Sequence, residues 1–238
     1  MDKLLEHANL ENLTGLWQLM GATQVTEELQ QSISWPRRCW QHPDQQAAEW
    51  SEIIEHIPAN YLFPVWRAGE ASVALEQALR RQGLEVGLEQ LAMVLPLDTD
   101  TPSPDHPRLD VRLIESHEQA EQWSSLCGRA FGYTLDAEVI DQLRQQPDVD
   151  VLWASLNGEP IATAILYRTG PVTGIHQVGV PPELQGQGIA RELMLMLLER
   201  ARSAGAEYVC LQASVAGEPL YHKLGFQPQF RIRSYRRG

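Results

Sequence analysis

Val178-Gly-Val-Pro-Pro-Glu-Leu-Gln-Gly-Gln-Gly-Ile-Ala190 is the stretch on which the fold turns. A β-prone approach, Thr173 to Val180, runs into a turn containing Gly186 and Gly188. A long apolar helix follows at once, from Ile189 to about Ser203. Backbone N–H groups in such a turn, with the positive end of a helix behind them, form an anion site. Neither Gly186 nor Gly188 carries a Cβ, so the main chain can approach a phosphate closely. Ala190 keeps the first helical turn small. A turn that merely caps the helix fits the same residues.

Two better-known phosphate motifs fail on inspection. The stretch has no Gly-Lys-Ser/Thr, which a nucleotide P-loop requires. Gly186-x-Gly188 is followed by Arg191 where the dinucleotide fingerprint needs a third small residue.

Working outward, residues 109–238 alternate strand and helix signals. Val111–Ile114 reads as a strand. Glu118–Phe131 has helical periodicity with Gly132 as its stop, and Asp136 caps a second helix to about Gln145. Val149–Leu156 and Ile161–Tyr167 are strands joined by Asn157-Gly158, a strong hairpin turn. After the glycine turn and its helix come a strand at Tyr208–Ala213, a short helix at Pro219–Leu224 and a last strand at Phe226–Tyr235. This is a mixed α/β pattern with an antiparallel start and a late helical crossover. Upstream, Asp98-Thr-Asp-Thr-Pro-Ser-Pro-Asp-His-Pro107 has nothing to bury and favours extended backbone. It predicts a linker over 98–108, between an N-terminal α/β domain at 1–97 and a C-terminal domain at 109–238. Within 1–97, Leu4–Met20, Ala47–Ile57 and Ser72–Gln82 read as helices, and Tyr61–Trp66 and Leu88–Leu97 as strands. Five of the seven tryptophans lie here (Trp17, Trp35, Trp40, Trp50 and Trp66), enough aromatic area for a core or for an aromatic ligand pocket.

Composition bounds the function classes. The chain has 238 residues, 43% hydrophobic and 21% charged, with a net charge of −12, an ordinary globular makeup. Residues 1–100 carry 15 acidic and 6 basic side chains, net −9, and residues 101–238 carry 16 and 13, net −3. A negative field repels phosphate backbones, so nucleic acid is disfavoured as a partner. The longest apolar run is Leu193–Leu198, far short of the roughly 20 residues of a membrane span. The opening MDKLLEHANLENLTG has no apolar core of a signal peptide. Cys39, Cys127 and Cys210 are widely spaced and odd in number, which suits a reducing cytoplasm and no disulfide framework. Nothing near Cys39 and His42 completes a metal site, so none is expected.

Gln185-x-x-Gly188-x-Ala190 resembles the Q/R-x-x-G-x-G/A turn of the GNAT superfamily of acyl-CoA-dependent N-acyltransferases. Val178-x-Val180-Pro-Pro-Glu183 resembles that family's approach to the turn. Leu220-Tyr-His-Lys-Leu-Gly-Phe226 resembles its late Tyr-x-x-x-Gly-Phe segment, and Leu211-Gln-Ala-Ser214 the strand before it. The resemblance covers most of 109–238. It implies a mixed, mostly antiparallel sheet flanked by helices and a site for acetyl-CoA where the strands near Gln177–Val180 and Tyr208–Ala213 splay apart. Backbone groups of Val178 and Val180, on either side of Gly179, would pair with the pantetheine arm. N–H groups of Gln185, Gly186, Gln187, Gly188, Ile189 and Ala190 would hold the pyrophosphate. Tyr221 matches the tyrosine that often protonates the departing thiolate.

The sequence also departs from the family. Some members carry a Glu on the central strand where Gly174 stands here. His176, on the same strand face by alternation, is the candidate base or water-relay partner. Ser214 stands where relatives often have Asn. In 1–97, Arg80-x-x-Gly83 comes nearest to a second turn motif but closes a helix. Pro64-Val-Trp66, Leu75–Leu79, Gly83 and Leu91-Ala-Met93 loosely resemble the late half of a degenerate copy of the fold. The expected activity is acetyl transfer to a primary amine of a small molecule or peptide, by a monomer or homodimer. A non-catalytic acyl-CoA-binding module, or an interaction protein whose acidic N-terminal part docks a basic partner, are the alternatives.

Overall fold

The computed structural model describes residues 3–42, 50–66, 70–98 and 106–237. In chain order the elements are α1 (Lys3–Leu19), β1 (Ala22–Gln24), β2 (Leu29–Ser32), β3 (Cys39–Gln41), α2 (Trp50–Glu55), β4 (Phe63–Val65), α3 (Glu70–Arg81) and β5 (Leu84–Pro96). They continue with β6 (Asp110–Leu113), α4 (His117–Phe131), α5 (Ala137–Leu143), β7 (Val149–Leu156), β8 (Glu159–Thr169) and β9 (Val172–Gly179). A 3-10 turn (Pro182–Leu184), α6 (Ile189–Ser203), β10 (Tyr208–Ser214), α7 (Glu218–Lys223) and β11 (Gln227–Arg237) complete the chain. Most of the expected linker, residues 99–105, lies outside the described residues, as do Ala47 to Glu49 of the helix expected from Ala47.

The contacts gather the chain into two compact units, Val94–Leu211 and Met1–Met93 with Gln212–Gly238. The last 27 residues therefore group with the first 93 rather than with the rest of the expected 109–238 domain. The physical reason is strand pairing: β11 runs antiparallel to β4, with Arg233 opposite Val65 and Tyr235 opposite Phe63.

In the unit holding the termini, β11 lies between β4 and β5. Its core gathers Leu29, Ile53, Ile54, Phe63, Leu79 and Tyr235. The tryptophans belong to packing. Trp17 meets Trp40 edge-on at 5.3 Å and Trp66 at 6.5 Å, and Trp17, Trp35, Trp40 and Trp66 are all buried. A three-stranded antiparallel sheet, β1-β2-β3, was not foreseen. Its strands have three or four residues each, too few for alternation to register. A buried amide cluster ties α1 to the strands behind it: Asn9 Nδ2 donates to Gln229 Oε1 (2.6 Å), and Gln212 Nε2 donates to Asn9 Oδ1 (2.6 Å).

The other unit has strand order β10-β9-β8-β7-β6. Pairing is antiparallel from β6 through β9 and parallel between β9 and β10. The hairpin turn at Asn157 (φ 53°) and Gly158 (φ 87°) has both central residues in the left-handed region, as a type I′ turn requires. Ser116 caps α4 by accepting from Gln119 N–H (3.2 Å), and Gly132 (φ 75°) ends it by donating to Gly128 O (2.8 Å). Both α4 and α6 pack on β8 and β9. Trp123 of α4 is fully buried, and its indole N–H donates to the Leu152 carbonyl (2.7 Å). Among the described residues, no helix is long and apolar enough to cross a membrane.

The sheet has one irregularity of consequence. Opposite β8, Thr163 faces Gly179 while Ile165 faces His176. Two steps on β8 thus match three on β9, which is a β-bulge. Its focus is Gln177, whose φ of 50° is left-handed and rare for a residue with a Cβ. Three neighbours hold it there. Thr163 Oγ1 donates to the Gln177 carbonyl (3.0 Å), and the Gln177 side-chain oxygen accepts from Tyr133 O–H (2.9 Å) and Cys127 S–H (3.4 Å).

Two substitutions probe this arrangement. Trp123→Ala removes a fully buried ring and its hydrogen bond, and urea denaturation should show a loss of about 3–5 kcal/mol. At Gly179, an added Cβ would lie 2.8 Å from Thr163 Oγ1 and 3.0 Å from both Ala130 Cβ and Phe131 Cε2. Gly179→Ala should therefore cost about 1–3 kcal/mol in the same assay.

Candidate acyl-CoA site

The site is built where β9 leaves the sheet. Its parallel pairing with β10 runs from Val172–Tyr208 to Gly174–Cys210, while β9 continues to Gly179. Past Gly174 that edge of β9 carries no pairing to β10 among the described residues. Unpaired strand N–H and C=O groups are a template for an added extended chain. Val178 is half-buried and Val180 buried, so main chain rather than side chain is on offer at this end.

Pro181 and the 3-10 turn then carry the chain to the glycines. Gly186 has φ 76° and Gly188 φ 80°, both in the region where a Cβ is costly. A Cβ at Gly186 would meet nothing within 4 Å, so open space lies in front of it. Gly188 is the N-cap of α6, and the first helical bond is made by Glu192 N–H to the Gly188 carbonyl (3.0 Å). The N–H groups of Gly188, Ile189 and Ala190 precede that bond and have no partner within the helix. Ile189 itself is buried and anchors the helix start. These donors, with the helix dipole behind them, attract an anion.

Gln185 has a different part from the one expected. Its N–H already donates to the Pro182 carbonyl (3.3 Å), and its side-chain amide donates to the Val180 carbonyl (2.9 Å). It ties the end of the strand to the start of the turn. That gives the long amide-bearing side chain a role within the turn. Glu183 is exposed and faces Arg129 at 3.7 Å.

His176 sits immediately before the bulge, opposite Ile165, with 8% of its surface exposed. The bulge also limits the alternation argument: Gly174 and His176 precede the extra residue, and the strand faces are reset beyond it. Nearby, Phe131 and Tyr133 are stacked (5.6 Å, 17°) and each is over two-fifths exposed. Sequence periodicity gave no sign of the bulge; the neighbouring Thr163, Tyr133 and Cys127 come from other elements.

Tyr221 belongs to the unit with the termini. It stands in α7 with its ring edge-on to Phe226 (5.8 Å, 67°). The Tyr-x-x-x-Gly-Phe spacing has a local cause. Gly225 (φ 93°) reverses the chain after α7, its N–H donating to His222 O (3.1 Å), and Phe226 N–H returns to Tyr221 O (3.0 Å). This helix-ending turn folds Phe226 back on Tyr221. Gly217 leaves room for the ring, since a Cβ there would lie 3.0 Å from Tyr221 Cε2. Burial pushes the Tyr221 phenol up to about 12. Cys39, Cys127 and Cys210 are free and buried, and burial raises each thiol to about 12. Among the described residues no group of His, Cys, Asp and Glu could hold a metal.

Known proteins resemble the chain in sequence and in fold. Residues 113–226 match the model of the acetyltransferase (GNAT) family. A mycothiol acetyltransferase of Thermobispora bispora is 31% identical over 153 residues, covering 55% of this chain and 51% of that protein. The chain thus matches about half the length of that relative. Among solved structures, a GCN5-related N-acetyltransferase from Kribbella flavida superposes with a TM-score of 0.67 at 18% identity, covering 96% of this chain and 94% of the other. One from Sphaerobacter thermophilus gives 0.63 at 20% identity, covering 87% and 76%. At such identities these two carry the fold alone: mixed α/β, largely antiparallel, flanked by helices. Residues 113–226 of this chain are thus similar to the acetyltransferase (GNAT) family, and the chain shares the fold of these neighbours.

Proposed function

We propose that the protein is an N-acetyltransferase that moves the acetyl group of acetyl-CoA to a primary amine of a small molecule or peptide by direct attack. The observation that carries this reading is the pair of left-handed glycines, Gly186 and Gly188, opening α6 just beyond the part of β9 that has left its register with β10. In the proposal, the main chain at Val178–Val180 pairs with the pantetheine arm. The N–H groups from Gly186 to Ala190 take the pyrophosphate, with Gln185 bracing the turn. For residues 1–97 we propose the supporting role of a degenerate copy of the fold.

Attack of a neutral amine on the thioester forms the amide bond and breaks the C–S bond. It needs a base for the amine proton, donors for the developing oxyanion and an acid for the thiolate. His176 is the proposed base, directly or through ordered water. Tyr221 is the proposed acid. With its phenol raised to about 12 by burial, it is protonated throughout the neutral range. The half-exposed Phe131 and Tyr133 are proposed to meet the acceptor.

The test is thiol release from acetyl-CoA against a panel of amino acids, polyamines, aminoglycosides and peptide N-termini. An active amine should be found. With it, Tyr221→Phe should lower kcat about 10²- to 10⁴-fold, the range of general acid catalysis. Gly188→Glu should abolish coenzyme A binding in calorimetry, by backbone strain and by repulsion of the pyrophosphate. Retained affinity would overturn the placement of the site. Gly174, where some relatives have Glu, supports one other reading: a non-catalytic acyl-CoA-binding module. Tight binding of acetyl-CoA with no turnover on any amine of the panel would favour it.

A further inference from the structure

A cradle of N–H groups binds an anion only if its carbonyls are held away. Glycines make the cradle accessible but lose the most conformational freedom when ordered, so a turn containing Gly186 and Gly188 needs ties from outside. At its entry the tie is the Gln185 amide on the Val180 carbonyl. At its exit, the carbonyl of Gln187, between the two glycines, accepts from Arg108 Nη2 (3.4 Å). Arg108 Nη2 also lies 4.0 Å from where a Gly188 Cβ would stand.

Arg108 is itself firmly anchored. Its Nε and Nη2 lie 2.9 and 2.8 Å from Glu192 Oε2. Glu192 Oε1 accepts from the backbone N–H of Leu109 (2.9 Å) and from that of Arg108. The Glu192 side chain is 14% exposed. Burial acts to raise its carboxyl, but the Leu109 and Arg108 hydrogen bonds and the guanidinium charge outweigh that and hold it below the usual carboxylate range. A lone surface ion pair contributes little. A charge-assisted pair with two added backbone donors is of the ordered kind.

We propose that Arg108 is a positioning residue for the phosphate turn, clamped by Glu192 of α6 and fixing the Gln187 carbonyl so that the glycine N–H groups face the bound diphosphate. The inference rests on the coenzyme A site proposed above. It assigns a role to a side chain outside the turn motif, at the end of the segment expected to be a linker.

The test is calorimetry on the full chain with coenzyme A, 3′-dephospho-coenzyme A and pantetheine, each variant's unfolding midpoint being measured alongside. Arg108→Ala and Glu192→Gln should each weaken both diphosphate ligands about tenfold, the effect of one charge-assisted hydrogen bond, and leave pantetheine unchanged. Arg108→Lys, which keeps the charge but loses the fork, should behave like Arg108→Ala. The proposal is overturned if coenzyme A binds Arg108→Ala within twofold of the parent chain, or if pantetheine weakens equally. It is overturned too if dephospho-coenzyme A escapes the loss, which would mark a contact to the 3′-phosphate. Recovery by Arg108→Lys, or tighter binding by Glu192→Gln, would assign the effect to charge rather than positioning and overturn it likewise. A parent chain that binds none of the three removes the site itself; a parent that binds while the variants match it removes the role of Arg108 alone.

Discussion

One extra residue in β9 is the constraint on which the end of that strand, and with it the candidate site, depends. Without the bulge at Gln177, regular alternation would continue to Gly179 and the strand would follow its neighbour β8 in step. With it, the register slips by one, and the last residues of β9 reach the turn in a different orientation. A left-handed non-glycine residue in a strand costs energy, typically about 1–3 kcal/mol. Here the Thr163 hydroxyl, the Tyr133 phenol and the Cys127 thiol act together on Gln177 to hold it. Strain of this sort persists only where surrounding structure over-determines it, and α4 and β8 both contribute.

The elements of the fold that could be read from sequence were those with a local cause. The Asn157-Gly158 turn, the helix from Ile189 to Ser203 and the strand from Val149 to Leu156 carry their own signals: paired left-handed positions, a 3.6-residue apolar repeat and β-branched density. The sheet β1-β2-β3 carries none, because its short strands are bounded by long-range pairing rather than by pattern. The grouping of residues 212–238 with 1–93 was hidden for a related reason. A proline-rich segment shows where chain is extended, not which strand a later segment will pair with, and β11 pairs with β4.

Of the proposed site residues, the glycine turn and the Tyr221 segment were legible as patterns because each is a local backbone device. Gly188 caps α6, and Gly225 ends α7 so that Phe226 returns to Tyr221. Arg108 and the three partners of Gln177 were not legible. They act across 79 residues in the case of Arg108 and Gln187, and 50 in the case of Cys127 and Gln177, and no spacing rule joins positions that far apart. Gln185 was legible as a motif position but not as a brace, since pattern alone does not separate a residue that touches a ligand from one that shapes the loop.

The burial of the three cysteines has a consequence for redox chemistry. The proposed transfer would liberate coenzyme A, a free thiol able to form mixed disulfides. Such exchange proceeds through thiolates that are accessible. Cys39, Cys127 and Cys210 are enclosed, and their thiols are held protonated by burial, at about 12. Among the described residues these cysteines are closed to disulfide exchange with such a thiol, and the thiol at Cys127 that helps to hold the β9 bulge is shielded by the packing it supports.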